Sequence, residues 1–299
     1  MTTVMTTVTT PVKTSTLGQV GASTGAELLR IRKWPAVWVT LGAWLTLSAL
    51  FGYVFNYVAY KSGSNSFSNE GESAASLLAT IMPVGVPNTL VDGMPMFGGA
   101  LMLVLGAIVA GSGYGWGSWK TVFTQGPSRT STVLGSTTAL AVFVAGTIVV
   151  TLVFDLGLSL VVAAAEGQHV VWPGLGDTAQ AVGAGFLVLE MWAFAGFLLG
   201  TLARGPALSV GLGLVWALVI ENLLRGVGTL LAPVATFTHV LPGTAAGSLI
   251  GSLVGVGGPD STPGVVDAIS GDRAVWTLLA YLVLLPVATV LLVRRRDVN

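Results

Sequence analysis

Charged residues are scarce in this sequence: 13 of its 299 residues are lysine or arginine and 13 are aspartate or glutamate, only 9% in all. A soluble domain carries about 25% charged residues, because its surface faces water. So few charges cannot cover a water-facing globule, but they suit a surface that faces lipid. The formal net charge of zero also excludes the strongly basic surface of a nucleic-acid-binding protein.

Residues that commonly carry metal, thiol or nucleotide chemistry are equally few. The absence of cysteine excludes disulfides and thiolate metal sites, and the two histidines, His169 and His239, have no zinc or catalytic spacing. None of the four lysines lies in a G-x-x-x-x-G-K-[ST] phosphate loop. The G-x-S-x-G pattern at residues 21–25 lacks the strand-to-helix turn and histidine partner of a hydrolase. We therefore expect no metal, no cofactor and no ATPase site in this chain.

Long apolar runs dominate what is present, and the chain is 53% hydrophobic with a mean hydropathy of +0.82. A bilayer core of about 30 Å needs about 20 apolar residues of helix to cross it. Six runs are long enough, and they are too continuous for the short alternating strands of a membrane β-barrel. We therefore predict an all-α membrane protein with six transmembrane helices. The predicted spans cover approximately residues 35–60, 95–114, 131–160, 179–203, 206–224 and 274–293.

The N-terminal region differs in composition from the rest. Residues 1–22 are rich in threonine and poor in large apolar side chains, which predicts a disordered tail before the six-helix domain of residues 23–299. Thr24 and Glu27 match a capping box, so we expect a helix to begin there. It mixes apolar and basic residues: Leu28, Leu29, Arg30, Ile31, Arg32 and Lys33. This pattern predicts a helix lying in the inner membrane interface, or simply a basic flank of the first span.

Residues 226–272 are too long and too apolar for an ordinary loop. We expect one or two short re-entrant helices here, before the last span, shielded from lipid by the bundle. Glycines also recur at the spacing that lets helices pack closely: Gly196, Gly200, Gly247, Gly251 and Gly255.

Basic residues predict the orientation, since they accumulate on the cytoplasmic side of membrane proteins. With the N-terminus inside, ten basic residues lie inside: Lys13, Arg30, Arg32, Lys33, Lys120, Arg129, Arg204, Arg294, Arg295 and Arg296. Only three then lie outside: Lys61, Arg225 and Arg273. We therefore predict a multi-pass protein of the cell inner (plasma) membrane with both termini in the cytoplasm.

The loop between the second and third spans combines aromatic and basic residues. Trp116, Trp119 and Phe123 have the i, i+3, i+7 spacing of one helix face, and Gly126-Pro127 would stop that helix. An aromatic face would then meet the bilayer while polar residues face the cytoplasm. The candidate residues for coupling to a partner are those of this loop: Trp116, Trp119, Lys120, Phe123, Pro127 and Arg129. The alternative is an interfacial aromatic belt with no partner.

Three charged residues within or beside predicted spans are candidates for a functional role: Glu190, Glu221 and Arg225. Glu190 is 13 residues after Asp177 and 14 before Arg204, roughly 20 Å from either end of its helix. An acid at that depth should face protein, either as a substrate or proton contact or as a protonated structural group. Glu221 and Arg225 are four residues apart, which predicts a local ion pair.

Three stretches in this order resemble the ABC type-2 exporter permeases, in their bacterial form with a single membrane domain. They are GAELLRIRKWPAVWVTLG, YGWGSWKTVFTQGPSRTSTVLG and FAGFLLGTLARGPALSVGLGLVWALVIENLL, the last followed by Leu241-Pro242. The resemblance covers most of the chain from about Ala22 to Arg296. Two positions depart from it: many relatives have an acid at the position of Gly113 and a basic residue at that of Ser136.

The resemblance implies that the loop after the second span is a coupling helix docked on a separate ATP-binding-cassette ATPase. ATP would then be bound by that partner, and export from the cytoplasm would require a second permease chain, in a homo- or heterodimer. Relatives are associated with antibiotics, peptides, lipids and ions, so the substrate stays open. The alternatives are an ion-coupled secondary transporter, for which we find one midplane acid but no internal repeat, and an intramembrane enzyme, for which no catalytic cluster is evident.

Overall fold

The computed structural model describes residues 15–63, 73–124, 127–255 and 262–296, and within these ranges its regular elements are all helical. Six helices are long and apolar enough to cross a membrane, which confirms the predicted all-α membrane fold. We number them as spans 1 to 6: Pro35–Ser62, Met94–Gly115, Arg129–Ala165, Leu175–Ala203, Pro206–Gly228 and Gly271–Arg295.

A further helix, Thr16–Lys33, precedes span 1 and is called the N-terminal helix here. It begins where Ser15 Oγ accepts a hydrogen bond from the Gly18 amide, 3.2 Å away. The predicted start at Thr24 is therefore wrong, because the Thr24 hydroxyl donates to the Val20 carbonyl inside the helix instead. The predicted disordered tail is likewise wrong for residues 15–22, and residues 1–14 lie outside the described part of the chain.

Packing against span 3 explains why this weakly helix-forming segment is helical. A Cβ added to Gly135 of span 3 would collide with Ser23 and come within 2.9 Å of the Thr24 amide nitrogen. The two helices therefore touch backbone to backbone at this glycine. Tertiary packing of this kind supplies most of the stability of helices in proteins and outweighs local propensity.

Two pairs of short helices bend sharply between the spans. Ala232–Thr238 and Pro242–Val254 meet at 76°, which confirms the short helices predicted before the last span. Ala74–Ile81 and Pro83–Asp92 meet at 74° just before span 2, and these two helices were not predicted from the sequence. Pro83 and Pro87 interrupt this apolar stretch. Proline breaks the hydrogen-bond ladder of a helix. The apolar segments on either side of these prolines are therefore each too short to be predicted as a transmembrane span.

Spans 2 and 4 form the closest helix pair of the bundle. A Cβ at Gly106 of span 2 would meet the Ala193 carbonyl, and a Cβ at Gly196 of span 4 would meet the Leu103 carbonyl. One turn further on, a Cβ at Gly200 would lie 2.7 Å from the Ala107 carbonyl oxygen. The close packing predicted at Gly196 and Gly200 is therefore confirmed, and it places both backbones in direct contact.

The second predicted glycine group gives a mixed result. A Cβ on Gly247 would meet the Gly264 carbonyl, so this position does pack closely. Gly255 has open space around it and a φ of +79°, which makes it a turn residue at the end of Pro242–Val254 instead.

Three of the spans contain a π-helical segment: Ser48–Val54 in span 1, Met94–Gly98 in span 2 and Val215–Ile220 in span 5. Hydrogen bonds in a π-helix join residues five apart, so each turn is wider than in an α-helix. Side chains at positions i and i+5 are thereby brought towards the same side of the helix. Two polar clusters described below depend on this spacing.

Candidate functional site

Several parts of the chain meet at the end of the bundle where span 1 begins, which we call the basic end. The N-terminal helix reaches it first: Arg30 donates a hydrogen bond of 2.9 Å to the Val109 carbonyl of span 2. The Trp34 ring, at the start of span 1, lies 5.6 Å from the Trp116 ring at the end of span 2. Burial raises the pKa of the Glu27 carboxyl above its usual range, and the neighbouring Arg30 partly offsets this by lowering it.

The short helix between spans 2 and 3 covers Ser118–Thr124 and is called the loop helix. Trp116 is not part of it but caps span 2, because Gly117 turns the chain with a φ of +67°. The predicted face of Trp116, Trp119 and Phe123 on one helix is therefore wrong for Trp116, whose side chain is 67% exposed.

Trp119 and Phe123 fix the loop helix to the bundle. The Trp119 side chain is buried, and its indole nitrogen donates to the Ala110 carbonyl of span 2 at 3.1 Å. The Phe123 ring stacks on it at 5.5 Å with an interplanar angle of 14°. Lys120, which lies between them in sequence, is exposed. The loop helix is thus anchored from behind by aromatic rings and presents a basic side chain outward.

Arg129 begins span 3 and connects three elements. Its guanidinium donates to the carbonyls of Val293 and Arg296, at 3.1 and 2.9 Å, and lies 5.7 Å from the centre of the Phe123 ring. Arg296 in turn donates to the Leu202 carbonyl of span 4. The sequence suggested that Arg129 faces a partner, but the structure has it binding the last turn of span 6. Pro127 is half-buried beside it, and Gly126 lies outside the described residues.

The exposed basic residues of this end form a rim: Arg32, Lys33, Lys120, Arg204, Arg294 and Arg295. At the opposite end of the bundle, the basic residue Lys61 is paired with an acid. It lies at the end of span 1 and forms an ion pair with Glu166 at 2.7 Å. Tyr57 and Tyr60 also donate hydrogen bonds to this carboxylate. The bonds from Lys61 and then Tyr57 lower the pKa of the Glu166 carboxyl.

Glu190 lies near the middle of span 4 and faces the protein, as predicted. Its residue exposure is 1%, and neither carboxylate oxygen has a hydrogen-bond partner among the described residues. The region around it is the tight contact with span 2, where Gly98 and Gly99 pack on Leu189 and Trp192.

The predicted ion pair between Glu221 and Arg225 is wrong. Glu221 is fully buried and accepts a hydrogen bond of 2.9 Å from Trp216, five residues earlier in the π-helical segment. Its other oxygen lies against Gly243 in the first turn of Pro242–Val254. A helix start carries partial positive charge and suits an acid. Arg225 donates instead to Asn222 at 2.5 Å.

One buried acid, Asp155 of span 3, falls within the predicted span of residues 131–160 but was not singled out from the sequence as a candidate site residue. The side chain is fully buried. A four-residue spacing of polar side chains could have revealed it. Each member of that stripe is buried: Thr147, Thr151, Asp155 and Ser159.

The described part of the chain contains no group of three or more histidine, cysteine, aspartate or glutamate side chains that could hold a metal. Comparison of the sequence with models of protein families and with curated proteins finds no match.

Proposed function

We propose that this chain is the permease subunit of an ATP-binding-cassette exporter of the inner membrane, driven by ATP that a partner subunit hydrolyses. The observation that carries the proposal is the loop helix, whose inner face is bound to span 2 while Lys120 faces outward. Such a rigid basic protrusion suits a cleft on a soluble ATPase. The three sequence stretches that resemble type-2 exporter permeases support the same conclusion.

The contacts of the loop helix offer a way to transmit force. Trp119 ties it to span 2, and Phe123 contacts Arg129, which binds the end of span 6. Through Trp116 and Trp34, span 2 also touches the start of span 1. A partner that displaced the loop helix would therefore act on several spans together. A single set of six spans supplies half of a two-sided pathway, so we propose that two permease chains, identical or related, work as a dimer.

The orientation that this function requires can be measured directly. Reporter fusions at residue 15 and residue 299 should both be cytoplasmic, because the exposed basic rim gathers at one end of the bundle. One terminus inside and one outside would mean an odd number of spans and would refute the architecture.

Charge reversal at the loop helix tests the coupling role. We expect Lys120→Glu to weaken co-purification of the partner ATP-binding-cassette ATPase, with roughly tenfold lower affinity, or about 1.4 kcal/mol. The residue is exposed, and its side chain makes no hydrogen bond or ion pair in the described part of the chain, so membrane levels should not change. Arg295→Glu is the matched control, since it reverses another exposed charge on the same rim.

Equal ATPase recovery from wild type, Lys120→Glu and Arg295→Glu, with equal transport, would show that the loop helix is not the coupling element. Arg129 is unsuitable for this test, because its guanidinium holds the end of span 6 and its loss would disturb the fold.

One observation favours the alternative of an ion-coupled secondary transporter, namely the buried and unpaired Glu190. Acids at membrane depth often mark ion or proton paths. The two functions differ in a liposome experiment. A secondary transporter needs only the purified chain and an ion gradient, whereas an exporter subunit needs its ATPase and ATP.

A further inference from the structure

Spans 1 and 3 run parallel and share a ladder of polar contacts. Trp44 donates to the Thr151 hydroxyl at 3.0 Å, and one turn later Ser48 donates to Asp155 at 2.9 Å. The Lys61–Glu166 ion pair closes the ladder at the far end. The residue numbers rise together on both helices, so the contacts follow one continuous seam.

The middle of this seam contains two buried oxygen atoms without partners. Asp155 has an exposure of 0%, and its Oδ2 accepts no hydrogen bond from any described residue. Tyr53 of span 1 has an exposure of 3%, and its hydroxyl lies beside Thr89 without a hydrogen bond of ordinary geometry. The Tyr53 hydroxyl and the Asp155 carboxylate are close enough to interact electrostatically.

The π-helical segment Ser48–Val54 produces this arrangement. Ser48 and Tyr53 are five residues apart, and the wide turn of a π-helix brings such positions to the same side. Both therefore meet span 3 near Asp155. π-Helical interruptions of α-helices are frequently found at functional sites.

No cation neutralises Asp155 among the described residues. The other titratable groups around this seam have partners of their own. Lys61 pairs with Glu166, about 16 Å further along span 3, and Asp92 of the first bent pair accepts a hydrogen bond from Thr262. A carboxylate buried in a membrane bundle is strongly unfavourable without a counter-charge.

We propose that the polar cluster of Asp155, Ser48 and Tyr53 binds one monovalent cation, either a proton or an alkali-metal ion. Asp155 Oδ2 and the Tyr53 oxygen are its free acceptors, and carboxylate and hydroxyl oxygens are the donors that hard cations prefer. If the ion is a proton, it forms an O–H bond on Asp155 Oδ2 and can be shared with the Tyr53 oxygen. The proposal does not depend on the ATPase or on the direction of transport.

Thermal unfolding of the purified full chain in detergent tests the site. The midpoint of wild type and of Asp155→Asn is measured in sodium, lithium, potassium and choline chloride at equal ionic strength, and then over a range of pH. An alkali-metal site predicts a wild-type midpoint that is several degrees higher with one of the metals than with choline. At 100 times its dissociation constant, an ion would favour the folded state about 100-fold.

A proton site predicts a different pattern. The wild-type midpoint is then the same in all four salts but falls as pH rises, because the folded state must lose the proton that neutralises Asp155. Asp155→Asn should remove an alkali-metal dependence and weaken a pH dependence. Glu190 is a second buried acid without a partner among the described residues and can add its own pH dependence. The comparison is therefore repeated in a Glu190→Gln background, where the effect of Asp155→Asn should persist.

Tyr53→Phe keeps the carboxylate and removes one acceptor, so it should reduce the dependence without abolishing it. It also serves as the test variant if Asp155→Asn does not fold. The proposal is overturned if wild type depends on neither salt nor pH, or if the test variant and wild type show the same dependence.

Discussion

Replacing Gly196 by leucine should abolish the recovery of folded protein, whereas the same change at Gly183 on the same helix should be tolerated. Even a Cβ at Gly196 would collide with the Leu103 carbonyl of span 2, while a Cβ at Gly183 meets nothing within 4 Å. Overpacking a close contact costs about 1–3 kcal/mol for small additions. Leucine adds four carbon atoms against backbone that cannot move aside, so the contact between spans 2 and 4 should be lost.

The measurement is the yield of monodisperse protein by size-exclusion chromatography after extraction in a mild detergent, at matched expression. The closest helix pair of the bundle depends on this position, so the effect should be among the largest of any single change. Similar yields for Gly196→Leu and Gly183→Leu would mean that spans 2 and 4 do not pack as described.

Glu190→Lys should also prevent folding, whereas Glu190→Gln should fold normally. The wild-type side chain has an exposure of 1% and no partner among the described residues. Glutamine keeps the shape and stays neutral at this depth. Lysine is longer and would place a positive charge where no acidic side chain among the described residues can pair with it. Burying an unpaired charge inside a membrane protein is energetically unfavourable.

The two variants are compared with Asp177→Lys, which introduces lysine at an exposed position in the first turn of the same span. Membrane insertion and chromatographic profile are measured for all three. We expect Asp177→Lys and Glu190→Gln to match wild type. Normal insertion and full transport by Glu190→Lys would place this residue at the periphery of the protein and contradict its burial.

The spans were predictable from the sequence because bilayer thickness sets a minimum length for an apolar helix. The position of Glu190 followed from the same reasoning, since its distance from both helix ends fixes its depth. The ends of helices were harder to predict. Thr24 has the pattern of a helix start, yet the helix continues through it because it packs on Gly135 of span 3. No local pattern in the sequence indicates that the N-terminal helix contacts Gly135.

The polar contacts were predictable only in part, because their geometry departs from a regular α-helix. Four-residue spacing suggested that Glu221 pairs with Arg225, but the π-helical turn gives Trp216 access to Glu221 instead. In the loop, a single positive φ at Gly117 separates Trp116 from the helix that holds Trp119. Neither the π-helical turn nor the left-handed glycine follows from residue spacing.

The most direct test of the proposed function is the native mass of the complex that the tagged chain forms with its partner ATP-binding-cassette ATPase, purified from the membranes in which the chain naturally occurs. The proposal predicts an assembly with two permease chains and two ATPase chains, which hydrolyses ATP and loses its ATPase when Lys120 is reversed in charge. A functional particle containing a single membrane chain, or one that transports without any ATPase, would contradict it.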